Sequence, residues 1–349
     1  MTDSTLVLDE IDKDFYECID KLRNAYVEMS PMFSFKGHVT ATKIVYNKIS
    51  KNRAQNNVVS LFSGGLDAYS TLIAHLDERP KTFTIWGADI SLEDEKGWNI
   101  VRNTASENGN QFNLPEPAFV KSNFRTFLNV ALLDEMVKES NDFWWHGYQH
   151  GIGMLGLAAP IAYKYDIDTI YIASSFSVGD SVICASFPTI DNNVRFAGCK
   201  VIHDQFEFSR QKKIEYVSAY CTKNHTNIPL RVCWKTTGAY NCCECEKCFR
   251  TIYGFLSIGQ DPKLYNLNFT PRQIRKSKRV ITKVLKDTPF LRPLWLEIIN
   301  TFKDTKSCID DKDINWVFDY DVNTEHSKIY KVYRKARFLT SKVYHSIMQ

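Results

Sequence analysis

The chain has 349 residues, 44% hydrophobic and 24% charged, which is the composition of a soluble globular protein with one large domain or two. The net charge of +4 is too small by itself to indicate a nucleic-acid-binding protein. No apolar run approaches the ~20 residues that a membrane span requires, so we expect no span. The N-terminus lacks the charged and apolar regions of a signal peptide, and we expect a cytoplasmic protein.

Residues 1–55 predict a small N-terminal extension. Residues 38–49 alternate between apolar and polar side chains as a strand does. Before them, apolar side chains recur at helical spacing: Phe15, Ile19, Leu22 and Tyr26.

From residue 56 the sequence predicts strands that alternate with helices. The predicted strands are 58–62, 83–86, 118–121, 169–173 and 201–204. The predicted helices are 68–76, 98–108, 124–137, 150–165 and 210–220. The alternation indicates an α/β fold with a doubly wound, mostly parallel sheet, which binds ligands beyond the carboxyl ends of its strands. Residues 174–191, rich in Ser, Gly and Asp, predict a long loop.

The first predicted strand ends in Ser63-Gly64-Gly65-Leu66-Asp67, and a helical pattern follows. Such a turn directs free backbone N–H groups and a positive helix end toward a phosphate. Ser63 adds a hydroxyl, and Asp67 lies in the first helical turn, where it can bind phosphate-bound Mg²⁺. Neither a Walker loop nor a Rossmann fingerprint is present. On this motif alone, a phosphate loop and an ordinary glycine turn are equally good interpretations.

Further candidates follow the other predicted strands. Asp89 is placed to face a ribose or Mg²⁺, or to cap a turn. Arg210 and Lys213 lie one helical turn apart and are candidates to stabilise charge on an α-phosphate, with a solvated helix face as the equal alternative. Weaker candidates, for which a structural role is at least as common, are Arg125, His146, His150, Asp180, Asp191 and Asp204.

Five of the ten cysteines fall between residues 233 and 248. Cys233, Cys242, Cys245 and Cys248 have the spacing C-x₈-C-x₂-C-x₂-C, which suits a closed tetrahedral zinc site. An iron–sulfur cluster is the second interpretation. Disulfides of a secreted protein would be spread along the chain, so the clustering favours metal binding in a reducing compartment. The neighbouring Cys243 is not an expected ligand.

Residues 259–349 predict a helical, basic C-terminal extension. Within it, residues 327–349 form a basic amphipathic pattern that suits a membrane surface or a polyanion. A terminal helix that docks its apolar face on the body is the commoner outcome, and we favour it.

The motif at Ser63–Asp67 resembles the Ser-Gly-Gly-x-Asp-Ser loop of the PP-loop ATP pyrophosphatases, with Ala68 in place of the final Ser. Together with the cysteine spacing, it makes residues 56–258 similar to the 7-cyano-7-deazaguanine synthase family. The resemblance implies ATP phosphates and Mg²⁺ at Ser63, Gly64, Gly65, Leu66 and Asp67. It implies structural zinc at the four cysteines, which would fix the loop of Tyr240 and Asn241 beside the substrate.

The resemblance also implies a reaction. Members of that family adenylate a carboxylate with release of pyrophosphate, and ammonia then gives an amide, which is dehydrated to a nitrile. Segments such as Ser186-Phe187-Pro188 look more like a divergent branch, members of which occur in anti-phage or polysaccharide gene clusters. The acceptor is therefore open between a deazapurine-like acid and a protein acceptor.

Two alternatives belong to other classes. A PP-loop sulfur transferase would need a free catalytic thiol, for which Cys184, Cys199 and Cys221 are candidates. A zinc-containing module that binds nucleic acid or protein would use the basic C-terminal helices. A homodimer is the default expectation for the assembly.

Overall fold

A computed structural model describes residues 4–47, 57–180, 182, 184–233, 235, 238, 240–305 and 312–325. The predicted basic tail at 327–349 lies outside these residues. Within them, no helix combines the length and the apolar character that crossing a bilayer requires.

The N-terminal residues form β1 (Thr5–Asp12), α1 (Lys13–Met29) and β2 (His38–Val45), with β1 and β2 paired in parallel. The expected helix and strand are present, whereas β1 was missed. Asp12 caps α1 by accepting a hydrogen bond from the Phe15 amide (2.9 Å). The same Asp12 oxygen accepts from the Ala197 amide (3.0 Å), which joins this unit to the main sheet.

In the described part of the chain, six strands form the main sheet. They are β3 (Val58–Leu61), β4 (Lys81–Trp86), β5 (Ala118–Lys121), β6 (Thr169–Ala173), β7 (Arg195–Phe196) and β8 (Cys199–Asp204). Their order is β5-β4-β3-β6-β8-β7, and all neighbours are parallel except β7 and β8. The predicted α/β fold with a mostly parallel sheet is confirmed. The chain runs from β3 outward to β5 and then returns to β6 on the other side of β3, so the strand order reverses between β3 and β6.

Helices follow most of the strands. They are α2 (Leu66–Ala74), α3 (Glu95–Gln111), α4 (Val130–Val137), α5 (His150–Lys164), α6 (Pro188–Asp191), α7 (Arg210–Lys223), α8 (Glu246–Ser257), α9 (Pro271–Asp287) and α10 (Arg292–Thr305). One buried apolar cluster joins α1 and α5 to the sheet, and another joins α2, α7 and α8 to α9 and α10. All four residues of β3 are buried, as expected of a strand that is covered on both faces.

Two segments differ from the prediction. The helix expected over 124–137 begins at Val130, where the Asn129 side chain caps it, and residues 124–128 form turns. Arg125 therefore lies in a turn and not in a helix. The loop expected over 174–191 contains the short helix α6, whose first residue is Pro188.

The C-terminal helices α9 and α10 complete the second apolar cluster. Thr270 and Gln273 form a capping box at the start of α9. Trp295 of α10 is buried, and its indole N–H donates to Glu246 of α8 (2.9 Å). These helices therefore pack against α8, which contains part of the candidate site.

Candidate functional site

A cavity of about 500 Å³ opens at the carboxyl ends of β3, β4 and β6. This is the position where the strand order reverses, and open parallel sheets bind ligands there. Among the described residues, the charged side chains that line it are Asp67, Asp89, Arg125, Arg210, Arg231 and Lys247. Four cations against two carboxylates leave the cavity wall positive, which suits an anionic ligand.

The loop between β3 and α2 forms one wall of the cavity. Gly64 has φ +73°, a left-handed conformation that glycine adopts without strain. Gly65 is the N-cap of α2, and its amide donates to the Ser63 hydroxyl (3.3 Å). The first helical bond runs from the Tyr69 amide to the Gly65 carbonyl (3.0 Å). The amides between them belong to the unpaired, positive end of the helix, and Leu66 and Asp67 line the cavity there.

Arg231 clamps this loop from a distant part of the chain. Its amide donates to the Gly64 carbonyl (2.7 Å), and its guanidinium donates twice to the Ser63 carbonyl (3.1 and 3.0 Å). It also donates to Asp89 (3.2 Å) across the cavity wall. Arg231 therefore fixes the loop and the turn after β4 relative to each other. The sequence interpretation missed it, since only the folded chain brings it to the loop.

Asp67 lies among cations. Arg210 Nη1 is 3.3 Å from its Oδ2, and Lys213 Nζ is 3.6 Å from its Oδ1. Burial by itself raises the pKa of the Asp67 carboxyl, but Arg210, Lys213 and further cations outweigh it and hold the pKa below its ordinary value. Asp67 is therefore ionised at neutral pH. The structure brings together all three of the predicted catalytic residues.

Two lysines beside Asp67 have different surroundings. Lys213 is buried and donates to the Ser174 carbonyl at the end of β6, while Lys247 lines the cavity. Burial lowers the pKa of both ammonium groups, and Asp67 acts in the opposite direction. Lys247 was missed as a site residue, although it stands inside the cysteine motif.

Asp89 follows β4 in a turn that depends on Gly87, whose φ is +108°. The Asp89 side chain is 56% exposed, and it lines the cavity. Desolvation by the surrounding protein raises the pKa of this carboxyl, whereas Arg231 and then Lys247 lower it, and the net pKa is below the ordinary value. Asp89 is therefore an ionised carboxylate that is open to the cavity.

Arg125, Trp145 and His150 also line the cavity. The Arg125 guanidinium lies 4.0 Å from the Trp145 ring centre, and it donates to the Ala88 carbonyl (2.6 Å). His150 meets Trp145 edge-on, with ring centres 5.0 Å apart. Burial lowers the pKa of the His150 imidazole to about 4, so the ring is neutral at neutral pH.

The four predicted metal ligands come together. The sulfur atoms of Cys233, Cys242, Cys245 and Cys248 all lie within 4.8 Å of one another. The Cys233–Cys245 and Cys242–Cys248 sulfur pairs are each 3.9 Å apart. Zinc–sulfur bonds of about 2.3 Å in a tetrahedron place the sulfur atoms about 3.8 Å apart, so the group can hold a zinc-sized ion. The amides of Lys235 and Glu244 donate to the sulfurs of Cys233 and Cys242 (3.4 Å each).

The cysteine group borders the cavity. Cys233 lies on the cavity wall two residues after Arg231, and Lys247 lies between Cys245 and Cys248. In the described part of the chain, neither Tyr240 nor Asn241 lines the cavity. The Asn241 side chain bonds backbone groups of Leu230, Val232, Cys233 and Asn266. That a metal would fix Tyr240 and Asn241 beside a substrate stays a prediction.

The weaker candidates outside the cavity make structural contacts. His146 bonds Asp142 (2.7 Å), and Asp180 accepts from the Ser177 amide (2.6 Å) in a turn. Asp191 and His203 form a buried pair (2.8 Å), and Asp204 bonds His75 (3.1 Å). Among protein-family models none matches the chain, and among curated proteins none is similar enough to count as a match.

Proposed function

We propose that the protein is an ATP-dependent enzyme of the PP-loop pyrophosphatase type, which adenylates a carboxylate and releases pyrophosphate. The observation that supports this most is the convergence of a glycine loop, a helix start and four cations on one cavity at the reversal of the strand order. A volume of about 500 Å³ is within the range of small-molecule sites. The Ser-Gly-Gly-x-Asp motif and the cysteine spacing supply the particular chemistry.

The loop and the cations both contribute to binding ATP. The amides that begin α2 bind phosphate oxygens, and Ser63 adds a hydroxyl. Arg210 and Lys247 stabilise charge on the phosphates, and the buried Lys213 holds Asp67 in place. Arg231 keeps the loop in its shape.

Two carboxylates fit Mg²⁺. Asp67 Oδ1 accepts no hydrogen bond within the described part of the chain and lies 3.6 Å from Lys213 Nζ, and the Asp89 carboxylate is open to the cavity. Oxygen ligands of this kind, together with phosphate oxygens, are what Mg²⁺ binds. Bound there, Mg²⁺ would neutralise part of the triphosphate charge.

The reaction proceeds by positioning and charge neutralisation. A carboxylate oxygen of the acceptor forms a bond to the α-phosphorus, and the bond from that phosphorus to the bridging oxygen of the β-phosphate breaks. Pyrophosphate leaves with the bonding electron pair, while Arg210 and Lys247 offset the charge that builds up. Ammonia then displaces AMP from the acyl adenylate and gives an amide. Loss of water from the amide in a later step gives a nitrile, as in the 7-cyano-7-deazaguanine synthase family that the sequence resembles.

Zinc at the four cysteines would have a structural role, because all four ligand positions are sulfurs of the protein. It would hold the segment before Cys233 and the start of α8, which carry Arg231 and Lys247. The metal site thereby supports two cations of the cavity without taking part in the reaction.

The sulfur-transferase alternative is less well supported. Burial raises the pKa of both the Cys184 and the Cys221 thiol to about 11, so few thiolates would exist at neutral pH. Cys199 is also buried, and none of these three described cysteines lines the cavity. The binding-module alternative retains one favourable observation, the exposed cations along α9: Arg272, Arg275, Lys276, Lys278, Arg279 and Lys283.

Pyrophosphate release from ATP·Mg²⁺ tests the proposal, with the wild type beside Asp67→Ala and with or without 7-carboxy-7-deazaguanine. Release that requires the deazapurine and is lost in the variant supports a synthase with that acceptor. Pyrophosphate release without the deazapurine supports adenylation of a different acceptor. Absence of ATP binding and of pyrophosphate release contradicts the proposal and favours the binding module.

A further inference from the structure

The N-terminal sheet has a long strand with an open edge. Within the described residues, β1 and β2 form a sheet of two strands. β2 has eight residues, of which none is buried and none is a proline. In contrast, the outer strands of the main sheet, β5 and β7, have four and two residues. Short outer strands and prolines keep a sheet from pairing with another chain, and β2 has neither protection.

The pairing with β1 shows which backbone groups lie on the outer side of β2. The His38 amide donates to the Ser4 carbonyl (3.0 Å), so the backbone groups of His38 point toward β1. Backbone groups alternate in direction along a strand. Those that point away from β1 belong to Val39, Ala41, Lys43 and Val45. No described residue bonds these groups, and free groups of this kind are a template for a further strand.

The outward groups of β2 match those of an antiparallel copy of the same strand. A two-fold axis at Thr42 would pair Val39 with Val45 of the second copy, and Ala41 with Lys43 of the second copy. All four residues with outward groups then have a partner. Lys43 meets no second lysine in this register, and Glu10 of β1 already pairs with its ammonium group (2.6 Å).

The side chains on the other face of β2 also suit this register. The two Thr42 side chains would lie opposite each other, and Thr40 would lie opposite Ile44 of the second copy. β-branched residues that face one another across strands stabilise a sheet. Ile44 is 43% exposed and the neighbouring Tyr46 is 66% exposed, so both have apolar surface that a second copy can cover.

We propose that β2 pairs in antiparallel fashion with β2 of a second copy of this chain, across a two-fold axis at Thr42. The result is a homodimer with a continuous four-stranded sheet, β1-β2-β2-β1. A strand that is complementary to its own reverse favours a second copy over an unrelated partner. The inference does not depend on the proposed function, because no residue of β2 is among the described residues that line the cavity.

The mass of the full chain in solution tests the proposal, measured by size-exclusion chromatography with multi-angle light scattering over a dilution series. The variants are Thr42→Lys and Thr42→Glu, which bring two like charges together at the two-fold axis. Thr40→Lys is the matched control, because it changes an exposed threonine on the same face that meets Ile44 instead. Circular dichroism of each variant checks its fold.

We expect the wild type to be a dimer. Thr42→Lys and Thr42→Glu should each weaken the dimer by about tenfold or more, because like charges directly opposite each other repel. Thr40→Lys should weaken it less than Thr42→Lys does. An equimolar mixture of Thr42→Lys and Thr42→Glu should form a mixed dimer, because opposite charges then meet at the axis.

Three results overturn the proposal. One is a monomeric wild type, which would leave the edge of β2 to a strand of a different protein. Another is a dimer that Thr42→Lys does not weaken, or that Thr40→Lys weakens as much. The third is a mixture of the two Thr42 variants that dimerises no better than each variant alone, since the two-fold axis then lies elsewhere.

Discussion

At the residue scale, Arg231 shows how one side chain sets the shape of the cavity. Its guanidinium bonds the Ser63 carbonyl twice and Asp89 once, and its amide bonds the Gly64 carbonyl. A lysine has no planar fork with which to reach the carbonyl and the carboxylate together.

We therefore expect Arg231→Lys to weaken ATP·Mg²⁺ binding by about tenfold, although the charge is kept. Isothermal titration calorimetry measures this, with Arg272→Lys on the exposed face of α9 as the matched control. Equal affinity in the wild type and Arg231→Lys would show that the clamp does not shape the nucleotide site.

His150 makes the stability of the protein depend on pH. Burial lowers the pKa of this imidazole from 6.5 to about 4, with Asp89 opposing and His146, Arg125 and Lys247 acting in the same direction as burial. The unfolded chain takes up the proton at a higher pH than the folded chain. The neutral His150 therefore contributes stability above pH 6.5 that is lost as the pH falls toward 4.

We expect His150 to account for a loss of about 2 kcal/mol in the free energy of unfolding between pH 7 and pH 5. The variant His150→Gln should lack this part of the decrease. Urea unfolding at the two pH values measures the difference. The assignment is wrong if both proteins lose the same amount.

At the element scale, α8 joins the cysteine group to the cavity. Cys245 is its N-cap, Cys248 lies in its first turn, and Lys247 between them lines the cavity. The spacing of the cysteines predicted their proximity, because ligands to one ion must converge. The same spacing did not indicate that Lys247 faces the cavity, since that depends on how α8 packs against α7 and α10.

We expect one zinc per chain in the wild type and none in Cys248→Ser, measured by mass spectrometry of the metal. Cys248→Ser should also bind ATP·Mg²⁺ more weakly, because Arg231 and Lys247 lose their support. Cys243→Ser is the matched control, as Cys243 is buried beside the group but is not part of it. Zinc retained in Cys248→Ser, or iron found in the wild type, would contradict the zinc assignment.

The turn after β4 depends on a glycine. A Cβ at Gly87 would lie 1.9 Å from the Ser122 carbonyl oxygen, and the positive φ adds strain. In contrast, a Cβ at Gly156 in α5 meets nothing within 4 Å.

We expect Gly87→Ala to lower the free energy of unfolding by about 2 kcal/mol or more. Gly156→Ala should raise it by about 0.5–1 kcal/mol, because alanine favours a helix. Urea unfolding of both variants measures the contrast. Equal stability of the two would contradict the description of this turn.

At the scale of the whole molecule, the strands of the main sheet are the part of the fold that the sequence predicts best. Short apolar runs such as 169–173 are buried strands, because both faces of the sheet are covered. The turns over 124–128 were missed because the apolar residues of this segment have helical spacing, although the helix begins only after the Asn129 cap. The exposed strand β1 has no strong alternation and forms by pairing with β2.

The site residues that belong to a local sequence motif could be predicted. Those that reach the site from a distant part of the sequence could not. Ser63, Asp67 and the four cysteines stand in motifs, and the structure places both motifs beside one cavity. The bonds between Arg231 and the Ser63 carbonyl join residues 168 positions apart, and no local pattern signals such a contact.

The central claim is that ATP binds in the cavity at the carboxyl ends of β3, β4 and β6. A crystal structure of the protein with α,β-methylene-ATP and Mg²⁺ tests it most directly. We expect phosphate oxygens on the amides that begin α2, with Arg210 and Lys247 in contact with the triphosphate. A nucleotide bound elsewhere, or a triphosphate that points away from the Ser63–Asp67 loop, would contradict the account.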